Sequence, residues 1–505
     1  MRKFSFVAAT MLLAVPFSVG CFSSHEEPPS ANAEAEIEKG TIAWKPCPNP
    51  IYPEAECGIV TVPVDWSKPD GETLPMNVYR LKATRAGKPL GTLWFASGTP
   101  SLWFDKRPGE EHAPSARLRE YFDIVGFDAR GTSNDEPIAC DPELSKKVAA
   151  HDNRRPANQA EYEQWSEQVR ALGEDCLQRH GALFAHFDDF SVARDIDAFR
   201  SALGEEKLNV YARSVVTSLA ATYAEMFPHR LRTLVFDSNR DHSVDTATLL
   251  SRFSGGLDSS FAQFIDWARR TPGSVLYGKN VQSLWDRLYT QAKAGELIDP
   301  NTGKPMQVYT LLQGATLPMD RQPQHHSWGE LAQRLADLDA GRSTPGWDPE
   351  PEADYSSGAG YGAADECENW DYTDVADFAA LDGAYRAADT RLVHVHEAFE
   401  TLMHSPATCR GWPIAVLNPQ HRLSIQGGPK VLVVNSRHDF QTSYDNAVAV
   451  HEQIPGSVLL TYEGVGHGTY NRSPCIRGQV ELYLMTGLTP ASDTSCPAIW
   501  PAAQE

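Results

Sequence analysis

The sequence predicts an α/β architecture: a mostly parallel, eight-stranded sheet covered by helices on both faces, with a helical cap inserted late in the chain. Three observations lead there. Short apolar runs of buried-strand character alternate with long amphipathic helical patterns. The strand pattern stops between about Asp241 and Trp412 and then resumes. A serine, an aspartate and a histidine (Ser214, Asp439 and His467) follow in that order, each at the end of a strand-like run.

Taken in order, the chain begins with a targeting segment, residues 1–21. Met1-Arg2-Lys3 is a positive start, Phe4 to Val19 is mostly apolar, and small residues lead into Cys21. The context of Cys21 is that of a lipid-modified cysteine, with ordinary signal cleavage as the alternative because Ser18 stands where a larger aliphatic residue is usual. The apolar run is shorter than the ~20 residues a membrane span needs. Residues 22–40, rich in Ser, Glu, Pro and Ala, read as a disordered tether. The first part of the core is expected over 41–240. Its strands begin near Cys57, Met76, Thr92, Phe122, Leu208 and Leu231, and helices cover Glu161 to His180 and Ser191 to Leu203. Residues 241–415 form the expected cap, with helical patterns at Phe261 to Ala268, Val281 to Ala294 and Trp328 to Leu338. Residues 416–505 return to the sheet through Val431-Leu-Val-Val and Val458-Leu-Leu-Thr-Tyr.

At 505 residues the chain is long enough for one large core with an insertion. Its formal charge of −21 excludes a nucleic-acid partner, whose phosphates demand a basic face. Besides Cys21 there are eight cysteines: Cys47, Cys57, Cys140, Cys176, Cys367, Cys409, Cys475 and Cys496. An even set with no Cys-x-x-Cys pair points to disulfides in an oxidising compartment and away from zinc or redox chemistry. Of the 105 possible connectivities, pairing of sequence neighbours is the simplest.

A serine hydroxyl is a poor nucleophile unless a base lies within reach and a third group orients that base. Ser214, His467 and Asp439 supply those types, and the order serine, aspartate, histidine is the one found in α/β-hydrolases. The backbone N–H of Val215, opening the following helix, and that of Thr99 in the loop after an earlier strand are the candidate oxyanion donors. Singly, each of the three has a plain alternative: Ser214 as a helix cap, Asp439 as a loop acid, His467 as a turn residue. No cofactor is required for such a reaction.

From about Ala43 to Cys496 the chain resembles exported bacterial α/β-hydrolases of the tripeptidyl aminopeptidase and proline iminopeptidase type. The resemblance is carried by Phe122-Asp-Ile-Val-Gly-Phe-Asp128-Ala-Arg130-Gly, Ala221-Thr-Tyr-Ala-Glu-Met-Phe-Pro228, Cys409-Arg-Gly-Trp-Pro413, Gly466-His467-Gly-Thr-Tyr470 and Ser473-Pro-Cys475. It implies removal of short N-terminal pieces from peptides through an acyl-enzyme, with Ser214 as nucleophile, His467 as base and Asp439 as orienting acid. It also implies a cap acid for the substrate amine, for which Glu366 and Glu368, beside Cys367, are the candidates. Trp103 is expected to shape the pocket mouth.

Two loops depart from the family's pattern. The elbow expected as Gly-x-Ser-x-Gly has Ala212 and Val216 at the glycine positions, where strand and helix backbones crowd. The oxyanion loop reads Gly98-Thr99-Pro100-Ser101, and Thr99 resists a positive φ. An esterase using the same triad, and a catalytically silent relative that binds peptides or an envelope partner, are therefore the alternative readings. Asp128, Arg130 and Asp237 read as structural residues at strand ends. The acids between Asp348 and Glu368 read mainly as a solvated loop that matches no calcium motif, and His325-His326 as an exposed pair. The expected partners are a peptide or small ester, with membrane contact only through a lipid at Cys21.

Overall fold

The computed structural model describes residues 42–101, 104, 106–107, 110–132, 138–151, 155–316, 327–343, 364, 366–393, 406–492 and 494–501. The expected signal segment with Cys21, the expected tether, Trp103 and His325-His326 lie outside these residues, as do all the acids from Asp348 to Asp365.

Among the described residues ten strands form one sheet: β1 (Lys45–Pro46), β2 (Glu56–Pro63), β3 (Thr73–Leu81), β4 (Thr92–Ser97), β5 (Asp123–Phe127), β6 (Leu208–Arg213), β7 (Leu231–Asp237), β8 (Val431–His438), β9 (Val458–Val465) and β10 (Ser495–Cys496). Their spatial order is β1-β2-β3-β5-β4-β6-β7-β8-β9-β10. The first three pairings are antiparallel, and every pairing from β5 to β10 is parallel. The expected eight strands are β2 to β9. The two extra pieces are two-residue edges that the alternation signal is too short to reveal. β10 contains Cys496, disulfide-bonded to Cys475, and β1 precedes Cys47, bonded to Cys57.

Side chains alternate across this sheet. In β6, Val210 and Ala212 point into one apolar layer with Val433, Leu219 and Ala220, while Tyr211 points into the opposite layer with Phe95, Leu432 and Tyr483. Before β6 come helices α1 (Ala116–Tyr121), α2 (Pro142–Ala149), α3 (Gln159–His180) and α4 (Asp189–Ala202), and after it α5 (Val216–Met226). Asp188 caps α4 by accepting the Ser191 N–H at 3.0 Å.

Between β7 and β8 the described chain is helical: α6 (Thr246–Arg270), α7 (Val281–Lys293), α8 (Val308–Thr316), α9 (Ser327–Asp339), α10 (Phe378–Ala387) and α11 (Pro406–Cys409). These helices bury their own apolar cluster, including Leu257, Phe264, Trp285, Leu331 and Tyr385, and it reaches Tyr162 and Trp165 of α3. The sequence pattern recovers only the C-terminal part of α6, Phe261 to Ala268, because Gly255 and Gly256 interrupt the apolar periodicity before it. α12 (Tyr444–Gln453) and α13 (Pro474–Thr486) complete the core.

Candidate active site

β6 ends at Arg213, and Ser214 then turns the chain into α5 with φ of +68°. Left-handed backbone is costly for a non-glycine residue and marks stored strain at functional sites. Among the described residues only His112 and Ser238 share it without being glycine. The turn is held by its backbone: Ser214 N–H donates to the Asp237 carbonyl at 3.0 Å, and Thr217 N–H and Oγ1 donate to the Ser214 carbonyl at 2.9 and 2.6 Å. Val215 is the cap residue of α5, with no side-chain cap bond.

The elbow's departures are absorbed. Ala212 is fully buried and Val216 nearly so, and both pack into one sheet-face cluster. Neither has a positive φ, because Ser214 itself carries the unusual conformation. The crowding expected at Val216 is thus corrected: the branched side chain fills the layer beneath the sheet.

Asp439 follows β8 and His467 follows β9. His467 Nδ1 lies 3.1 and 3.2 Å from the two Asp439 carboxylate oxygens, and both residues are buried. The carboxylate also accepts the Gln441 and Thr442 N–H groups at 2.9 Å each and the Thr442 hydroxyl at 3.1 Å. Burial pushes the Asp439 pKa up. The His467 ring, the Thr442 N–H and the Ser238 hydroxyl outweigh it and hold the carboxyl below its ordinary value. The inserted helix α6 braces this loop. Ser259 Oγ meets His438 Nδ1 at 2.7 Å, Ser260 Oγ donates to the His438 carbonyl at 2.9 Å, and a Cβ on Gly256 would fall 2.5 Å from the Asp439 carbonyl oxygen.

His467 Nε2 is buried without a hydrogen-bond partner, so the Ser214 hydroxyl is not bonded to it. In unliganded hydrolases this contact is commonly long and closes on the substrate complex. Asp237 ties the two loops together. Its carbonyl holds Ser214, and its carboxylate accepts the Thr469 and Tyr470 N–H groups at 3.0 Å and the Tyr211 hydroxyl at 2.8 Å. That is the structural role expected of a strand-end acid. Arg130 is likewise structural, in a fully buried pair with Asp195 at 2.7 Å.

In the oxyanion loop the positive φ falls on Gly98, at +79°, and not on Thr99, which removes the strain foreseen there. Gly98 N–H donates to the Arg213 carbonyl at 3.2 Å, and Trp94 Nε1 holds the Pro100 carbonyl at 3.2 Å. Ser101 Oγ lies 3.3 Å from Asp128.

Comparison with known proteins gives the family. Residues 396–496 match the family described as TAP-like protein. The tripeptidyl aminopeptidase of Streptomyces lividans is 31% identical, over 92% of this chain and 88% of its own length. The chain belongs to the tripeptidyl aminopeptidase family of α/β-hydrolases. It is also 28% identical to the serine protease Hip1 of Mycobacterium tuberculosis, over 90% of this chain and 91% of that one. Carboxylesterase B of Mycobacterium tuberculosis is 26% identical over 98% and 97%.

The two acids that flank Cys367 in the hydrolase behave differently from each other. Glu366 is partly exposed, 3.6 Å from the Arg240 guanidinium, and accepts the Tyr372 hydroxyl. Glu368 is fully buried, and its carboxylate accepts the Phe187 N–H at 3.0 Å. The expectation that Glu368 meets substrate is corrected: an acid sealed under the loop before α4 braces the chain. Among the described residues no group of three or more His, Cys, Asp or Glu side chains is arranged to hold a metal. A cavity of about 240 Å³ lined by Arg437, Tyr444, His451 and Glu463 includes none of Ser214, Asp439 and His467. The disulfides join Cys47 to Cys57, Cys140 to Cys176, Cys367 to Cys409 and Cys475 to Cys496.

Sequence reasoning missed one group altogether. Glu111, His112, Arg213 and Arg472 converge beneath the His467 loop. Arg213 Nη2 lies 2.6 Å from Glu111 and 2.8 Å from the His467 carbonyl. Arg472 Nη2 lies 2.9 Å from the same carbonyl and 3.6 Å from Glu111. Ser97 Oγ lies 3.0 Å from His112 Nδ1.

Proposed function

We propose that this hydrolase is an exported serine exopeptidase that releases short N-terminal pieces from peptides. The observation that carries the reading is a strained serine at a strand-to-helix turn, tied through Asp237 to a buried Asp439–His467 pair whose Nε2 is unengaged. Ser214 Oγ attacks the carbonyl carbon while His467 Nε2 takes its proton, and Asp439 keeps Nδ1 protonated and the ring oriented. The N–H groups of Thr99 and Val215 receive the oxyanion. His467 then protonates the leaving amine, and the C–N bond breaks. Water, deprotonated by the same nitrogen, opens the acyl-enzyme and restores Ser214.

Helices across 241–415 form the cap in this reading, and Cys21 carries the lipid that holds the protein to the cell envelope. The four disulfides and the relatives' names support export and a peptide substrate. An ester substrate is the second reading. It is favoured by the engagement of Glu366 with Arg240 and the burial of Glu368, which leave the amine-binding acid unassigned among the described residues.

A fluorophosphonate probe tests the reading. It labels the wild type and not Ser214→Ala, and tripeptide-amide substrates with a free N-terminus turn over faster than N-blocked ones. A folded wild type that resists the probe sinks the catalytic reading. Equal turnover of blocked and free peptides, with faster ester cleavage, replaces the peptidase with an esterase.

A further inference from the structure

Arg213 stands immediately before Ser214, at a position where a side chain has no necessary part in the chemistry. Here it is almost fully buried. Its carbonyl accepts the N–H of Gly98 in the oxyanion loop, and its guanidinium donates to the carbonyl of His467. We propose that Arg213 is a positioning residue that locks nucleophile elbow, oxyanion loop and base loop into one rigid body, acting through the His467 carbonyl and not through substrate. The inference rests on the reading of Ser214 and His467 as nucleophile and base.

The surroundings are built for this task. The His467 carbonyl accepts Nη2 of Arg213 and both Nε and Nη2 of Arg472, which saturates the oxygen. Glu111 faces both guanidiniums, and their charge overcomes the upward push of burial to hold its carboxyl below the ordinary value. Buried charges are therefore paired and not left to destabilise the elbow. The glycines flanking His467 make room for the two forks. A Cβ on Gly468 would fall 1.9 Å from Arg213 Nε, and one on Gly466 would fall 2.6 Å from Arg472 Cζ. A single pin would hold a loop in place. Arg472 forks onto the carbonyl with Nε and Nη2, at 3.1 and 2.9 Å, and Arg213, covalently next to the nucleophile, adds Nη2 at 2.8 Å while its planar guanidinium also meets Glu111, which fixes direction as well as distance.

Lysine keeps the charge of arginine but loses the fork, so Arg213→Lys isolates the geometry. Misplacement of a reacting group by about 1 Å costs on the order of 10²-fold in rate. For a fluorophosphonate probe, the inactivation rate at saturation is expected to fall by that factor in Arg213→Lys, while the probe concentration for half-maximal rate stays unchanged. Glu111→Gln, which releases the guanidinium from its carboxylate, shifts the same quantity in the same direction and carries the test should Arg213→Lys fail to fold. Wild-type labelling with Ser214 dependence, together with an unchanged saturating rate in a folded variant, overturns the positioning role and leaves the catalytic reading intact. A change confined to the half-maximal concentration also overturns it, because Arg213 then acts in binding. An unlabelled wild type removes both.

Discussion

The elbow around Ser214 and the loop around His467 carry equal weight in the site, yet they constrain their sequences in opposite ways. At the elbow, the positions two either side of the serine are Ala212 and Val216. Both have ordinary backbone angles and face an apolar layer that welcomes side chains. At the base loop the neighbours of His467 are glycines with φ of +119° and +76°, and a Cβ on either would strike a guanidinium. Gly464, two residues earlier, has ordinary φ but would strike the Tyr462 ring at 2.3 Å. A glycine in a motif can answer a demand for conformation, for space, or for neither once a neighbour adapts. This hydrolase shows all three within two loops.

The largest expected effect breaks the base loop from its acid. Asp439→Asn preserves shape but no longer favours the tautomer that leaves Nε2 unprotonated, and probe labelling is expected to fall by about 10⁴-fold. Next comes Gly468→Ala, which drives a methyl into Arg213. Labelling is expected to fall by at least about 10²-fold, and normal labelling in a soluble protein would falsify the steric account of that loop. On the elbow side, Val216→Gly restores the family's glycine while emptying the layer beneath. It is expected to cost about 3 kcal/mol from lost burial and helix propensity, read as a lower melting temperature, with labelling retained. Ala212→Gly should cost only about 0.5–1 kcal/mol.

Acid separates the two regions as well. Burial, then the neighbouring Arg213, depresses the His112 pKa to about 4. Its unfolded value is near 6.5. Between those values the unfolded chain binds more protons, so stability falls as pH drops through that window. His242, buried at the Asn369 carbonyl and also depressed to about 4, adds to the same loss. Asp439 sits below its ordinary value, so its contribution is present above the unfolded pKa and disappears only as pH falls further. Melting temperature measured from pH 7 to pH 3 is therefore expected to decline first through the histidines. His112→Asn, which tolerates the +68° backbone, should flatten that first limb and leave the second.

The fold and the three central residues were legible because their signals are local. Val431-Leu-Val-Val announces a buried strand whatever lies around it, and Ser214 sits where one periodicity gives way to another. The Arg213 cluster was not legible. The bonds from Arg213 to Glu111 and to His467 join positions 102 and 254 residues apart, and no period or motif connects them. Glu368 misled for a related reason. Its type and its place beside Cys367 fit a substrate acid, whereas its burial under the loop before α4 is decided by Phe187, far off in sequence. Val216 shows the converse: the residue was visible, but the space offered to it was not.

The disulfide pattern bears on how the protein comes into being. Set Cys21 aside, and the eight cysteines that follow it along the chain join first to second, third to fourth, fifth to sixth and seventh to eighth. If the chain threads outward from its N-terminus, the first thiol of each pair therefore meets its proper partner as the very next one to emerge. A simple oxidant acting in order of arrival writes all four bonds correctly, with no wrong pairing for an isomerase to undo.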